Sequence, residues 1–314
     1  MSHPVLAGID GSEHSSAAAD WAAREAALRG VPLRLFHAFP RLPGPVTVPG
    51  PARDRLHHMG AQMLERVAAD LVDRYPGVEV RGEQADDAPA AALLVAARAA
   101  GLLVVGTRGT GGFDGLAVGS VALRTAAAAP CPVVLVPHRP GALGEGVHAA
   151  RGAARVVVGF DAHRPVGEVA DFAFSAAAAR GARLRVVQAW AFPAEAVSPR
   201  TLVVTGEDRA TWEDQEVLQL SDALRVRREK YPRVTVRTDV VLLHPAEALL
   251  NASGDASLLV VGRRTDPQAA EGRLGPVTHA VLHHAGCPVA VVPHAGQRPD
   301  QRSGGGSAGP AAIR

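Results

Sequence analysis

The chain repeats itself, and the repeat limits what it can fold into more than any other feature. VVVGFD at 156–161 restates VLAGID at 5–10, and LRVVQAW at 184–190 restates LRLFHAF at 33–39, both displaced by 151 positions (156 − 5). Further along the displacement becomes 156 (231 − 75). YPRVTVR at 231–237 matches YPGVEVR at 75–81, LLVVGRR at 258–264 matches LLVVGTR at 102–108, and CPVAVVPH at 287–294 matches CPVVLVPH at 131–138. The second copy therefore carries five extra residues (156 − 151) near the loop after its second strand. Each copy must bury its own apolar segments, so 314 residues read as two domains. The expected boundaries are 1–138 and 155–294, with a Gly- and Ala-rich linker at 139–154 and a disordered tail at 295–314 that holds a GGGS cluster.

Inside the first copy, short apolar runs alternate with helical patterns. Val5–Ile9 reads as a strand, followed through Asp10-Gly11-Ser12 by a helix to Arg29, with Ala18, Trp21, Ala22 and Leu28 on one face and Gly30 as its stop. Leu33–Ala38 is a second strand, and Phe39–Pro51 a loop stiffened by five prolines. A second helix carries Leu56, Met59, Met63, Val67 and Leu71 at helical spacing. Val78–Arg81 is a third strand, Pro89–Ala99 a third helix, Leu102–Val105 a fourth strand, and Val133–Val136 a fifth, after a helix that opens at Ser120. This alternation predicts the α/β class: two tandem doubly wound domains, each a parallel sheet of five strands covered by helices on both faces.

Composition agrees with that and narrows the function. Hydrophobic residues make up 47% of the chain but aromatics only 4%, which suits aliphatic cores of the buried parallel kind. The net charge is +2, and basic and acidic residues are interspersed, so no basic stripe argues for nucleic acid. Cys131 and Cys287 are too few for a disulfide framework; both precede proline at the start of equivalent strands and read as small buried residues. The first apolar run is broken at once by Asp10, and no run approaches the roughly eighteen residues of a spanning helix. A cytoplasmic protein that meets no membrane is expected.

The stretch LLVVGTRGTGGFDGLAVGSV, 102–121, carries the chemistry. A buried strand ends in a loop holding Gly106, Gly109, Gly111, Gly112, Gly115 and Gly119, and Ser120 follows with a hydroxyl where a helix start needs a capping acceptor. Glycines let backbone N–H groups close on an anion, and a helix N-terminus adds free N–H groups and the positive end of its dipole. The loop is no Walker A sequence, because the only lysine of the chain is Lys230, and it lacks the compact GxGxxG of a dinucleotide fold.

Its spacing, Gly106, two residues, Gly109, nine residues, Gly119, Ser120, resembles the ATP-binding loop of the universal stress protein family, the UspA-like branch of the adenine-nucleotide α-hydrolase fold. The resemblance covers both copies and implies strand order 3-2-1-4-5 in each. Strands one and four are then neighbours at the topological switch point, with Asp10 and Gly106 facing each other across the crevice. On this footing the cofactor is ATP, with Mg²⁺ as its companion. The loop and Ser120 take the phosphates, and Asp10 approaches the ribose or adenine end or helps hold the divalent ion. Ala38 and Val105 line the adenine slot, Val121 adds a backbone N–H, and Arg108 balances phosphate charge. Each has a plainer reading beside it: a turn cap for Asp10, core packing for Ala38 and Val105, a solvated loop side chain for Arg108.

The second copy departs from the pattern. Gly262 and Gly275 keep their places, but Thr265 replaces the glycine at 109 and Pro276 the serine at 120. Pro276 has neither hydroxyl nor N–H, so the second copy is expected to bind nucleotide weakly or not at all. His279 and His283 lie four apart without an acidic third ligand, which favours an exposed helix face over a metal site. His57 and His58 are adjacent and must point to different sides of their helix. Beyond Asp10 and Ser120 the loop offers no placed base or nucleophile, and HxGH is absent. The leading expectation is a stress-response regulator whose ATP occupancy alters shape or choice of an unidentified protein partner. A slow Mg-dependent hydrolase and a nucleotide-independent dimerisation module are the alternatives. The resemblance also implies edge-to-edge pairing of the fifth strands, Val133–Val136 and Val289–Val292, as an intramolecular pseudo-dimer or between chains in a homodimer.

Overall fold

The computed structural model describes residues 3–39, 50–110, 117–138, 154–191, 206–265 and 272–295. The linker and tail, and most of the proline-rich loop, lie outside these. In the first copy the order is β1 (Val5–Gly8), α1 (Glu13–Arg29), β2 (Leu33–Ala38), α2 (Gly50–Arg74), β3 (Val80–Ala85), α3 (Pro89–Ala96) with a 3-10 turn to Ala99, β4 (Leu102–Gly106), α4 (Ser120–Ala128) and β5 (Val133–Val136). The second copy repeats it with β6 (Arg155–Gly159), α5 (Gly167–Arg180), β7 (Arg183–Ala189), α6 (Gly206–Lys230), β8 (Val236–Val241), α7 (Pro245–Ala252), β9 (Leu258–Thr265), α8 (Pro276–His284) and β10 (Val289–Ala295).

All strands join one ten-stranded sheet in the order β3-β2-β1-β4-β5-β10-β9-β6-β7-β8. Within each copy the strands run parallel in the order 3-2-1-4-5, and the copies meet where β5 and β10 pair antiparallel, Val289 opposite Leu135 and Val291 opposite Val133. Both strands are almost wholly apolar, as strands covered on two faces must be. Leu6, Leu103 and Leu259 fall in the apolar cluster on one face of the sheet, and Leu35, Val104 and Val260 in the cluster on the other.

The contact between α1 and α5 shows the pseudo-symmetry in side chains. The Arg180 guanidinium lies over the Trp21 ring at 5.4 Å and the Arg29 guanidinium over the Phe172 ring at 5.5 Å. The repeat relates Trp21 to Phe172 and Arg29 to Arg180 (172 − 21 = 180 − 29 = 151), so each copy places its arginine on the other's aromatic ring. Glu25, 1% exposed, accepts from Arg29 at 2.6 Å and also from Arg180.

Three local expectations are corrected. β3 sits further along than Val78–Arg81 because, at the sheet edge, it tolerates exposed Arg81 and half-buried Glu83, which a search for apolar runs passes over. α2 begins at Gly50, so Pro51 belongs to its first turn, where a missing N–H costs nothing. Leu28 is exposed, and so are Leu56 and Met59, because α1 and the start of α2 present those residues to solvent; Leu71, at the far end of α2, is buried. Cys131 and Cys287 are buried, as their sequence context predicts, and burial pushes the Cys131 thiol up to about 11.

Candidate functional site

The switch point between β1 and β4 is built from the turn after β1 and the loop after β4. Asp10 closes the first. Its Oδ1 accepts from the Ser12 N–H at 3.0 Å and from the Ser12 hydroxyl at 2.6 Å, while its Oδ2 accepts from the backbone N–H of Thr110, across the crevice, at 3.0 Å. The carboxylate thus shapes its own turn and also holds the glycine loop. Burial alone would raise its pKa, but the bonds from Ser12 and Thr110 outweigh that and hold it below its ordinary 3.8. Ser12 in turn caps α1, accepting from the Ser15 N–H at 3.1 Å.

In the loop, Thr107 donates its N–H to the Val136 carbonyl at 3.0 Å and accepts from the Gly119 N–H at 2.7 Å, so the two ends of the loop are tied together. The glycines serve close approach rather than unusual torsion, since Gly106, Gly109 and Gly119 all lie outside the left-handed region. A Cβ at 106 would stand 2.7 Å from the His14 carbonyl carbon, and one at 109 would fall on the Asp10 carboxylate. At 119 a Cβ would meet only ordinary contacts at 3.6 Å and beyond, so none of the described residues demands that glycine. Gly111, Gly112 and Gly115 lie outside the described residues.

Ser120 is not a cap. The cap position belongs to Gly119 (φ −82°, ψ 163°), no side chain caps α4, and Ser120 is its first helical residue with an exposed side chain. The N–H groups of Ser120 and Val121 fall in the first turn, where a helix supplies no acceptor. Arg108 is half-buried, and its Cα would lie 3.7 Å from a Cβ at Gly119. Ala38 and Val105 end their strands at the same edge, buried in the apolar cluster that holds Leu6, Phe36 and Leu103, so both side chains do pack the core.

Sequence reading missed the group beside Gly106. His14 and His138 bring their rings to 5.2 Å, and His138 Nε2 lies 3.1 Å from the Glu13 carboxylate. Burial lowers the His14 pKa, and the nearby His138 and Arg108 lower it further against the pull of Asp10 and Glu13. The one available signal was the Pro-His that follows both fifth strands in the repeat. A shallow concavity of about 540 Å³ on the outer face of α2, lined by Gln62, Glu65, Arg66 and Ala69, touches none of these residues.

At the equivalent edge of the second copy, Asp161 is exposed and accepts from the His163 N–H at 3.0 Å. Thr265 is the last residue of β9, its hydroxyl donating to the His294 carbonyl at 2.9 Å. The His279 and His283 rings lie 4.5 Å apart, and among the described residues no group of three or more metal-binding side chains forms anywhere. His57 and His58 do face apart, His57 to Asp86 at 2.8 Å and His58 to Gln62 at 2.9 Å.

The fold is a tandem, doubly wound α/β protein of the adenine-nucleotide α-hydrolase-like type, with a glycine loop at one switch point. The sequence model of the universal stress protein family matches residues 1–137 and 153–293, and the chain belongs to that family. It is 40% identical over 307 residues to universal stress protein Rv1996 of Mycobacterium tuberculosis, covering 91% of this chain and 94% of the relative. With universal stress protein Rv2005c of the same organism the identity is 32% over 297 residues, covering 92% and 96%. Among solved structures, a universal stress protein of Archaeoglobus fulgidus superposes with a TM-score of 0.64 at 17% identity, covering 93% of this chain and 99% of that one. Among the described residues no helix is long and apolar enough to cross a membrane.

Proposed function

We propose that the chain binds ATP at the first-copy switch point and works as a nucleotide-dependent regulator in the stress response, with the second copy as a structural partner. The observation that carries this reading is the start of α4. Among the described residues no side chain caps its first turn, it follows a loop whose ends are already tied together, and it carries the exposed Ser120 hydroxyl and the N–H groups of Ser120 and Val121, which lack intrahelical acceptors. Such a surface stabilises anionic oxygens. Gly119, which none of the described residues requires, leaves room for a phosphate to approach the backbone.

Asp10 has a different task. It is ionised and therefore repels phosphate, so it faces the ribose hydroxyls or a phosphate-bound Mg²⁺, and it holds the near wall of the loop through Thr110. A Mg²⁺ ion arriving with the phosphates would take Asp10 as its protein ligand and would offset their charge. Ala38 and Val105 form an apolar floor for the adenine. The oxygens of Asp10 already accept from Ser12 and Thr110, which leaves it a poor base, so turnover is at most slow.

Calorimetry with ATP and Mg²⁺ on the whole chain and on a Gly109→Ala, Ser120→Ala double variant tests this. One site per chain, lost in the variant, is expected. No binding by the intact chain overturns the nucleotide reading and leaves a dimerisation module as the better account.

A further inference from the structure

The second copy reaches back into the first at one place that pseudo-symmetry does not explain. Arg263, in β9 one residue past Gly262, is only 5% exposed, and its Nη2 donates to the backbone carbonyl of Ala129 at 2.6 Å. Ala129 is the C-terminal cap of α4. Among the described residues the Arg263 Nε has no hydrogen-bond partner and no carboxylate forms an ion pair with the guanidinium. Burying such a charge is costly, and its described neighbours must offset it. The negative end of the α4 dipole, met through the Ala129 carbonyl, supplies part of that offset. Gly272 lies against the same helix end: a Cβ there would overlap the Ala127 carbonyl. The first copy has Thr107 at the position of Arg263, so the fold tolerates a small residue there, and a threonine cannot reach across the interface.

α4 is nine residues long, about 13 Å at 1.5 Å per residue. One end therefore stands at the glycine loop and the other in the grip of the second copy. We infer that Arg263 is a positioning residue for the first-copy site: by holding the C-terminal end of α4 it fixes where the Ser120 and Val121 N–H groups stand, and so sets the affinity of the loop for phosphate. This rests on the proposed nucleotide site. It gives the degenerate second copy a task beyond filling the sheet, since the strand that lost the loop is the one that carries the strut. Backbone hydrogen bonds tie the turns of α4 together, from Leu123 to Gly119 at one end and from Ala129 to Thr125 at the other, and these carry a displacement at Ala129 toward the loop.

The test uses the full chain with Arg263→Met, which keeps the apolar stem and removes the charge, and Arg263→Lys, which restores one donor. ATP affinity, the thermal midpoint, and amide exchange at Leu123, whose N–H bonds to the Gly119 carbonyl at 3.0 Å, are read together. The Met variant is expected to bind ATP about tenfold more weakly and to exchange faster at Leu123, with the Lys variant within about threefold of the parent. Unchanged affinity in a Met variant whose thermal midpoint has fallen overturns the inference, because Arg263 would then be packing alone. Should the Met variant not fold, Gly272→Ala pushes on the same helix end and carries the same expectations. Should the parent chain bind no ATP, the nucleotide reading fails separately. Leu123 exchange in the Arg263→Met chain then decides whether α4 is held from the second copy, and an unchanged rate sinks the strut.

Discussion

The ends of β4 and β9 began as the same sequence and now do opposite things. β4 stops at Gly106 and gives way to a loop; β9 continues through Gly262, pairing with Val292 and onward until Thr265 stands opposite Ala295. Between 106 and 109 the copies differ at two positions, Thr107 and Gly109 standing where the second copy has Arg263 and Thr265. A β-branched residue favours the ladder, and the Thr265 hydroxyl adds a bond to the His294 carbonyl. Glycine at 109 instead lets the Asp10 carboxylate lie against the loop, where a side chain would collide with it. Among the described residues the Asp161 side chain accepts within its own turn, from the His163 N–H. The same strand end is thus followed by a loop in one copy and by three further paired residues in the other.

The sharpest way to break this comparison is to give the first copy the second copy's residue. Gly109→Thr sets a branched side chain onto the Asp10 carboxylate and removes the Thr110 bond. ATP affinity is expected to fall by about 100-fold, or about 2.7 kcal/mol, in calorimetry. The thermal midpoint should hold within a few degrees, because residue 109 is exposed. Binding retained within about threefold of the parent would show that the loop, not the glycine, makes the difference.

The reverse exchange sharpens it. Thr265→Gly with Pro276→Ser restores the motif in the second copy but removes a strand former and the bond to His294. A loss of about 1–2 kcal/mol in denaturant unfolding is expected, with the nucleotide stoichiometry still at one per chain. A second site would mean that the extension of β9 is a consequence of two residues alone and that Arg263 does not commit the segment.

Much of this architecture was legible because it is local. β2 and β5 have the limits their apolar runs predict, and the repeat fixed the number of strands. What escaped depends on residues far apart in the chain. Asp10 and Thr110 meet across 100 positions, and Arg263 and Ala129 across 134. No periodicity encodes such contacts; they follow from strand order and from which helix end abuts which strand. β9 was hidden for another reason. Gly262 matches Gly106 in sequence and reads as a loop start, yet Val292 and His294 across the ladder keep it in the strand. The nine nominated site residues do gather along the ends of β1, β2 and β4 and the start of α4. The helix cap was misplaced by one residue, because either Gly119 or Ser120 can precede a helical run.

The smallest expected effect separates the copies by pH. His14 has no counterpart in the second copy, where the equivalent position, 14 + 151, is Pro165. In the folded chain its ring is held below the ordinary 6.5, first by burial, then by His138 and Arg108, while Asp10 and Glu13 oppose the shift only in part. In the unfolded chain it titrates near 6.5, so on the acid side of that value the unfolded state binds the extra proton. The contribution of a neutral His14 is therefore present above about pH 6.5 and is lost as pH falls toward its folded pKa. Replacing it by His14→Gln should flatten the fall in thermal midpoint between pH 7.5 and 5.5 by about one or two degrees, read by differential scanning calorimetry. Equal slopes in the parent and the variant would mean that His14 exchanges its proton without regard to folding. The first copy would then differ from the second in its backbone at the strand end, and not in the charge it keeps there.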